Sequence, residues 1–195
     1  MSEASSKARA KMKICAVGEE AVGKTSLIRR FVDDVFEGEY IRTLGTLLSK
    51  KTVEVEGPEG RPTVVDVLLW DIMGQRGFMD LLQDAYFYNA SGIFAVLDIT
   101  RKESLEALHG WLKGVFETAE SPSVIILANK SDLQDQGEVL EEDLATLGEA
   151  YDVPFYLTSA KTGDNCNLAF EDLIRLALER GGRPVSIAAA SGQAV

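Results

Sequence analysis

The run Gly18-Glu19-Glu20-Ala21-Val22-Gly23-Lys24-Thr25 constrains this chain more than any other stretch. It fits the pattern G-x-x-x-x-G-K-[ST], and its flanks suit that pattern. Met12 to Val17 reads as a strand, and Ser26 to Asp34 reads as a helix. Two glycines let the backbone fold closely round a phosphate chain, with several N–H groups and the helix N-terminus aimed at the anion. In such a loop the Lys24 ammonium reaches the β- and γ-phosphates, and the Thr25 hydroxyl ligates Mg²⁺. The residues expected to face the phosphates are Gly18, Glu20, Ala21, Val22, Gly23, Lys24, Thr25 and Ser26. A glycine-rich turn elsewhere could bind nothing. Between a strand and a helix it points to a nucleotide, without saying which one.

The base is addressed further along. Asn129-Lys130-Ser131-Asp132 follows the apolar run Val124 to Ala128, at the carboxyl end of a buried strand. Ligands of open α/β sheets bind at that edge. A carboxylate at Asp132 can accept two hydrogen bonds, from guanine N1–H and the 2-amino group. Adenine lacks that donor pair and would leave the carboxylate unpaired. Alone, Asn-Lys-Ser-Asp would be an ordinary polar turn. Its place after a phosphate loop gives it a different meaning.

A third strand end carries chemistry as well. Val64 to Trp70 reads as a strand that ends in Asp71, facing the phosphate loop. A carboxylate there can hold Mg²⁺ through a water, because this small cation keeps much of its hydration shell. Gly74 leaves room for a backbone N–H to approach a γ-phosphate. Without the loop upstream, Asp71 would read as a strand-end cap and Gln75 as a solvated helix residue.

Together these motifs resemble the Ras superfamily of small GTPases, with switch regions closest to the Rab branch. The likeness spans about Lys13 to Arg180. It rests on the phosphate loop, Thr43, Trp70-Asp71-Ile72-Met73-Gly74-Gln75, Asn129-Lys130-Ser131-Asp132 and Thr158-Ser159-Ala160-Lys161, in the family's order. The resemblance implies that Gln75 orients the attacking water, with Lys24 and Thr43 completing the catalytic set. It makes Thr43 the switch threonine whose hydroxyl joins Thr25 and Asp71 around Mg²⁺. Thr46, three residues on, fits that role less well. Phe36 matches the aromatic that packs edge-on against guanine, and Tyr40 the one that closes over the phosphates. A backbone N–H within Ser159-Ala160-Lys161 would meet guanine O6, while Lys130 and Lys161 lay their stems along base and ribose; a structural turn is the competing reading of Ser159 to Lys161. Binding of GTP and GDP with Mg²⁺, GTP hydrolysis, vesicle trafficking, and effector, exchange and activating proteins as partners all follow from the same likeness.

The chain departs from the family inside the phosphate loop, where Glu19 and Glu20 place two acids near a polyanion. Glu20 lies beside the expected γ-phosphate. It either points to solvent at little cost or alters hydrolysis, and Met73 before Gly74 is a second departure. Two functions therefore stand side by side: a GTP-hydrolysing switch, and a pseudo-GTPase scaffold that holds nucleotide with little turnover. A P-loop kinase or ATPase conflicts with Asp132.

The remaining pattern is of strands alternating with helices: Gly92 to Ile99, Lys102 to Glu120, Glu141 to Tyr151, Pro154 to Leu157 and Asn167 to Arg180, with a turn at Gly57 to Gly60. Apolar strands alternating with helices suit a mostly parallel sheet covered on both faces. The fold class expected is α/β, three-layered, with a six-stranded mostly parallel sheet flanked by helices. At 195 residues there is room for one domain, expected over 12–180, with flexible ends at 1–11 and 181–195. A net charge of −11 argues against nucleic acid as a partner. Cys15 and Cys166 are too few for a disulfide framework and fit a reducing, cytoplasmic setting. The lone His109 reads as a surface residue. The stretch Gly181 to Val195 holds no cysteine, so no lipid anchor is evident, and a monomer is expected.

Overall fold

The structure is a computed structural model that describes residues 7–38, 43–74 and 85–181. Tyr40 and Gln75 lie outside the described residues, as do 1–6 and 182–195. Six strands form one sheet: β1 (Ala8–Val17), β2 (Thr46–Glu56), β3 (Pro62–Ile72), β4 (Gly92–Asp98), β5 (Ser123–Asn129) and β6 (Phe155–Thr158), in the spatial order β2-β3-β1-β4-β5-β6. Only β2 and β3 run antiparallel, joined through a tight turn in which the Gly57 N–H donates to the Arg61 carbonyl. The other pairings are parallel, as expected of strands linked by helical crossovers.

Helices α1 (Lys24–Asp33) and α4 (Cys166–Glu179) cover one face of the sheet, and α2 (Lys102–Thr118) and α3 (Glu141–Tyr151) cover the other. Alternation along β1 sorts the two cores. Ile14 and Ala16 join the α1–α4 side, while Cys15 and Val17 join the α2–α3 side. Strands β4 and β5 are buried at every residue, which explains their unbroken apolar character. On the first face Phe170 of α4 holds the layer together. Its ring centroid is 4.2 Å from that of Phe31 on α1 and 4.3 Å from that of Phe94 on β4.

The topology determines where a ligand can sit. The chain crosses from β1 to β3 on one side and reaches β4 on the other, so the loop after β1 lies where strand order reverses. That is the crevice where doubly wound sheets bind their ligands. The loops after β3, β5 and β6 open on the same edge.

One boundary differs from the sequence reading. β1 begins at Ala8, inside the segment 1–11 expected to be flexible. Ala8 to Lys11 pair with Thr63 to Asp66 of β3, Ala10 is buried, and Arg9 and Lys11 face outward. Small and basic residues hid a strand with a single covered face.

Candidate functional site

A cavity of about 510 Å³ lies at the carboxyl edge of the sheet, between the phosphate loop and the loops after β5 and β6. Glu20, Ala21, Gly23, Lys24, Thr25 and Ser26 line one end. Asn129, Lys130, Asp132, Ala160 and Lys161 line the other, with Phe36, Thr43 and Gly74 along the side. Gly18, Val22, Asp71 and Ser159 stand behind this lining. All four are buried or partly buried, and each acts through the neighbours described below.

The phosphate loop is shaped by its own lysine. Lys24 opens α1, is buried, and donates to the carbonyls of Gly18 and Glu19, each at 2.8 Å. Burial pulls its ammonium down to about 8, against the opposing pull of Asp71, Glu19 and Glu20. A polyanion in the cavity would reverse that effect. Gly23 has φ 99°, and a Cβ there would stand 2.2 Å from the Asn129 side-chain nitrogen, so only glycine fits. Gly74 approaches the loop from β3. A Cβ on it would meet the Glu19 carbonyl carbon and the Glu20 nitrogen at 2.5 Å.

Beside Lys24, three oxygen-bearing side chains converge. Thr25 and Thr43 hydroxyls are 3.0 Å apart, Thr25 donates to Asp71 Oδ2, and Thr43 Oγ1 is 3.5 Å from the same oxygen. Thr46 instead starts β2, paired with Ile72 and outside this cluster. Desolvation raises the Asp71 carboxyl above its ordinary range, although the Thr25 hydrogen bond and Lys24 oppose it. Asp71 Oδ1 is buried and lacks a hydrogen-bond partner among the described residues. An orphaned carboxylate oxygen next to two hydroxyls is a hard-oxygen donor set of the kind Mg²⁺ takes. Among the described residues no group of three His, Cys, Asp or Glu could hold a metal ion.

The far end of the cavity is tied to the near end by Asn129. Its amide donates to the Val22 carbonyl at 2.8 Å and accepts from the Ala160 N–H at 3.2 Å. Ser159 donates to Asp132 Oδ1 at 2.6 Å, while Lys161 stands 3.7 Å from Asp132 Oδ2. Asp132 is thereby held upright at the cavity wall.

A family model described as "Ras family" matches residues 13–179 of this chain. The chain belongs to the Ras family. It is similar to Ras-related protein Rab-27B of Bos taurus, with 35% identity over 176 residues, 87% of this chain and 80% of that protein. Ras-related protein Rab-27A of Sus scrofa is 35% identical over 181 residues, 89% and 81% of the respective chains. Ras-related protein Rab-13 of Mesocricetus auratus is 36% identical over 173 residues, 88% and 82%. The protein is thus a Rab-like small GTPase.

Three side chains of this Ras-family domain escaped sequence reasoning. Arg30 of α1 donates from Nε to the Ala160 carbonyl at 2.9 Å and from Nη2 to the Lys161 carbonyl at 2.8 Å, bracing the loop after β6. Asp98 closes β4, and Arg101 follows it with a bond from Nη2 to the Glu20 carbonyl at 2.8 Å. Asp98 carried a readable signal, a carboxylate ending an otherwise apolar run. Neither arginine did, since their partners lie far away in sequence. Among the described residues no helix is long and apolar enough to cross a membrane.

Proposed function

We propose that this GTPase is a guanine-nucleotide switch that binds GTP and GDP with Mg²⁺ and hydrolyses GTP to GDP and phosphate. The observation that carries the reading is the single cavity on which the phosphate loop, the Thr25–Thr43–Asp71 cluster and Asp132 converge. Asp132 accepts hydrogen bonds from the guanine N1–H and 2-amino group, while Lys130 and Lys161 flank base and ribose and Phe36 closes the exposed edge. Lys24 and the loop amides hold the β- and γ-phosphates. Thr25, Thr43 and Asp71 would hold Mg²⁺, which neutralises charge that develops on the phosphates during transfer. Gln75, outside the described residues, orients the attacking water.

Thr43 and Gly74 lie within two segments, roughly 35–47 and 72–84, that respond to the γ-phosphate. Effector proteins would read that response, and exchange and activating proteins would set its timing. Exposed Leu48, paired with the half-buried Trp70 across β2 and β3, and exposed Leu44 supply an apolar surface for an effector next to the cavity. The second reading, a scaffold with little turnover, draws on Glu20, which lines the cavity close to Gly74.

Base choice tests the reading. The wild-type chain should bind GDP far more tightly than ADP, and Asp132→Asn should turn the preference towards xanthine nucleotides, whose 2-oxo group suits an amide donor. Equal affinity of the wild type for GDP and ADP would remove the assignment of Asp132.

A further inference from the structure

In the sheet, β4 lies between β1, which feeds the phosphate loop, and β5, which feeds the base-reading loop. The last residue of β4 is Asp98, in register with Asn129 of β5. Topology therefore puts one carboxylate midway between the loops that grip opposite ends of the ligand. Its side chain is 1% exposed. Asp98 Oδ2 accepts from Lys130 Nζ at 2.6 Å and from Arg101 Nε at 3.2 Å. Oδ1 accepts from the Thr100 N–H at 3.0 Å and the Thr100 hydroxyl at 2.7 Å. Arg101 then reaches on to the Glu20 carbonyl.

We propose that Asp98 is a positioning residue for nucleotide binding: its buried carboxylate, held by Lys130 on one side and Arg101 on the other, fastens the base-reading loop to the phosphate loop. The inference rests on the guanine-nucleotide reading given above and adds a member of the site that touches no ligand atom itself.

Several features support it. Lys130 adopts a left-handed backbone, φ 69°, which a non-glycine residue holds only when its surroundings impose it. An ion pair from its ammonium to a buried carboxylate is such an imposition. Arg101 suits its place because a planar guanidinium can serve two acceptors at once, with Nε on the carboxylate and Nη2 on the carbonyl. Besides the bonds of its own Lys24, the phosphate loop is held from neighbouring elements at Val22 by the neutral Asn129 bond and at Glu20 by the ionic arm from Asp98. The second hold is the one beside the acidic residue that sets this loop apart. Desolvation by itself would raise the Asp98 carboxyl, yet the bonds from Lys130 and Thr100 outweigh it and hold it below the ordinary carboxylate range. The group is therefore an anion at neutral pH, as the arrangement requires.

Affinities of Asp98→Asn, Arg101→Ala and the double variant for GDP and for GMP, measured by displacement of a fluorescent GDP and accompanied by melting curves, test the proposal. Arg101→Ala should weaken GDP by about ten-fold, the worth of one charge-assisted hydrogen bond, and leave GMP within about two-fold, since GMP lacks the β-phosphate that the phosphate loop, anchored at the Glu20 carbonyl, would hold. Asp98→Asn should weaken both nucleotides, and the double variant should be no worse than Asp98→Asn alone. Wild-type affinities in Asp98→Asn with only a lower melting temperature would reduce the residue to a structural role and overturn the proposal. Equal loss of GDP and GMP in Arg101→Ala, or additive losses in the double variant, would overturn it too. Tight GDP binding by the wild type with unchanged variants would leave the nucleotide reading standing without the tie. A wild type that does not retain GDP would remove both.

Discussion

Lys24 and Asp71 face each other across the phosphate loop with opposite responses to burial. Lys24 is held at about 8, below the 10.5 of an accessible lysine. Between those values the unfolded chain carries a proton that the folded chain has shed. The folded, ligand-free state thus gains stability as pH rises through that window and loses it as pH falls towards 8. A bound polyphosphate restores the proton, so GDP affinity should begin to fall above about pH 8, approaching ten-fold per pH unit for a single required proton. A flat titration of GDP affinity from neutral to alkaline pH would show that Lys24 does not meet the phosphates. Asp71 behaves the other way. Desolvation raises its pKa, so its contribution to stability is present below the unfolded carboxylate value and lost as pH rises through the folded one. At neutral pH the ligand-free protein carries that cost. Asp71→Asn should therefore raise the melting temperature of the nucleotide- and metal-free chain, by roughly 2–4 °C for each kcal/mol relieved. The same variant should make GDP release insensitive to EDTA. A lower melting temperature together with preserved EDTA sensitivity would count against a metal at this cluster.

The helices and strands hold these groups in place, and one aromatic side chain does much of the fastening. Phe170 contacts α1 through Phe31 and the sheet through Phe94, and it is 1% exposed. Phe170→Ala should cost roughly 3–5 kcal/mol in chemical denaturation, the range for deleting a buried ring. A loss under about 1 kcal/mol would mean that α4 closes over the gap. Much of this layer was legible in the sequence, because strand and helix periods differ and because each motif sits where one element ends. Asp71, Asn129 and Ser159 could be assigned to strand ends from the apolar runs before them. The start of β1 could not, since Ala8 to Lys11 bury one face only and resemble a polar terminus. Arg30 and Arg101 were unreadable for a different reason. Their acceptors are backbone carbonyls 130 and 81 residues away, and any residue supplies a carbonyl. Patterns of side chains carry no trace of such bonds.

Taken as a whole, the molecule joins a strongly negative chain to a site built for a polyanion. With net charge −11, attraction of the ligand cannot come from the overall field. It must come from local groups: Lys24, the loop amides, the dipole of α1 and the oxygen cluster that would bring a divalent cation. Family membership accounts for the shared plan, within which Arg101, itself bound to Asp98, reaches the Glu20 carbonyl of the phosphate loop. Turnover separates a switch from a scaffold, and single-turnover hydrolysis of GTP by the wild-type chain, with Mg²⁺ and with EDTA, measures it. Slow release of one phosphate per chain in Mg²⁺, abolished by EDTA, is the predicted result, because hydrolysis without a supplied arginine is typically about 10³–10⁵-fold below the assisted rate. Retention of intact GTP in Mg²⁺ over the hours in which an unassisted small GTPase completes a turnover would contradict it, and would make the protein a nucleotide-holding scaffold.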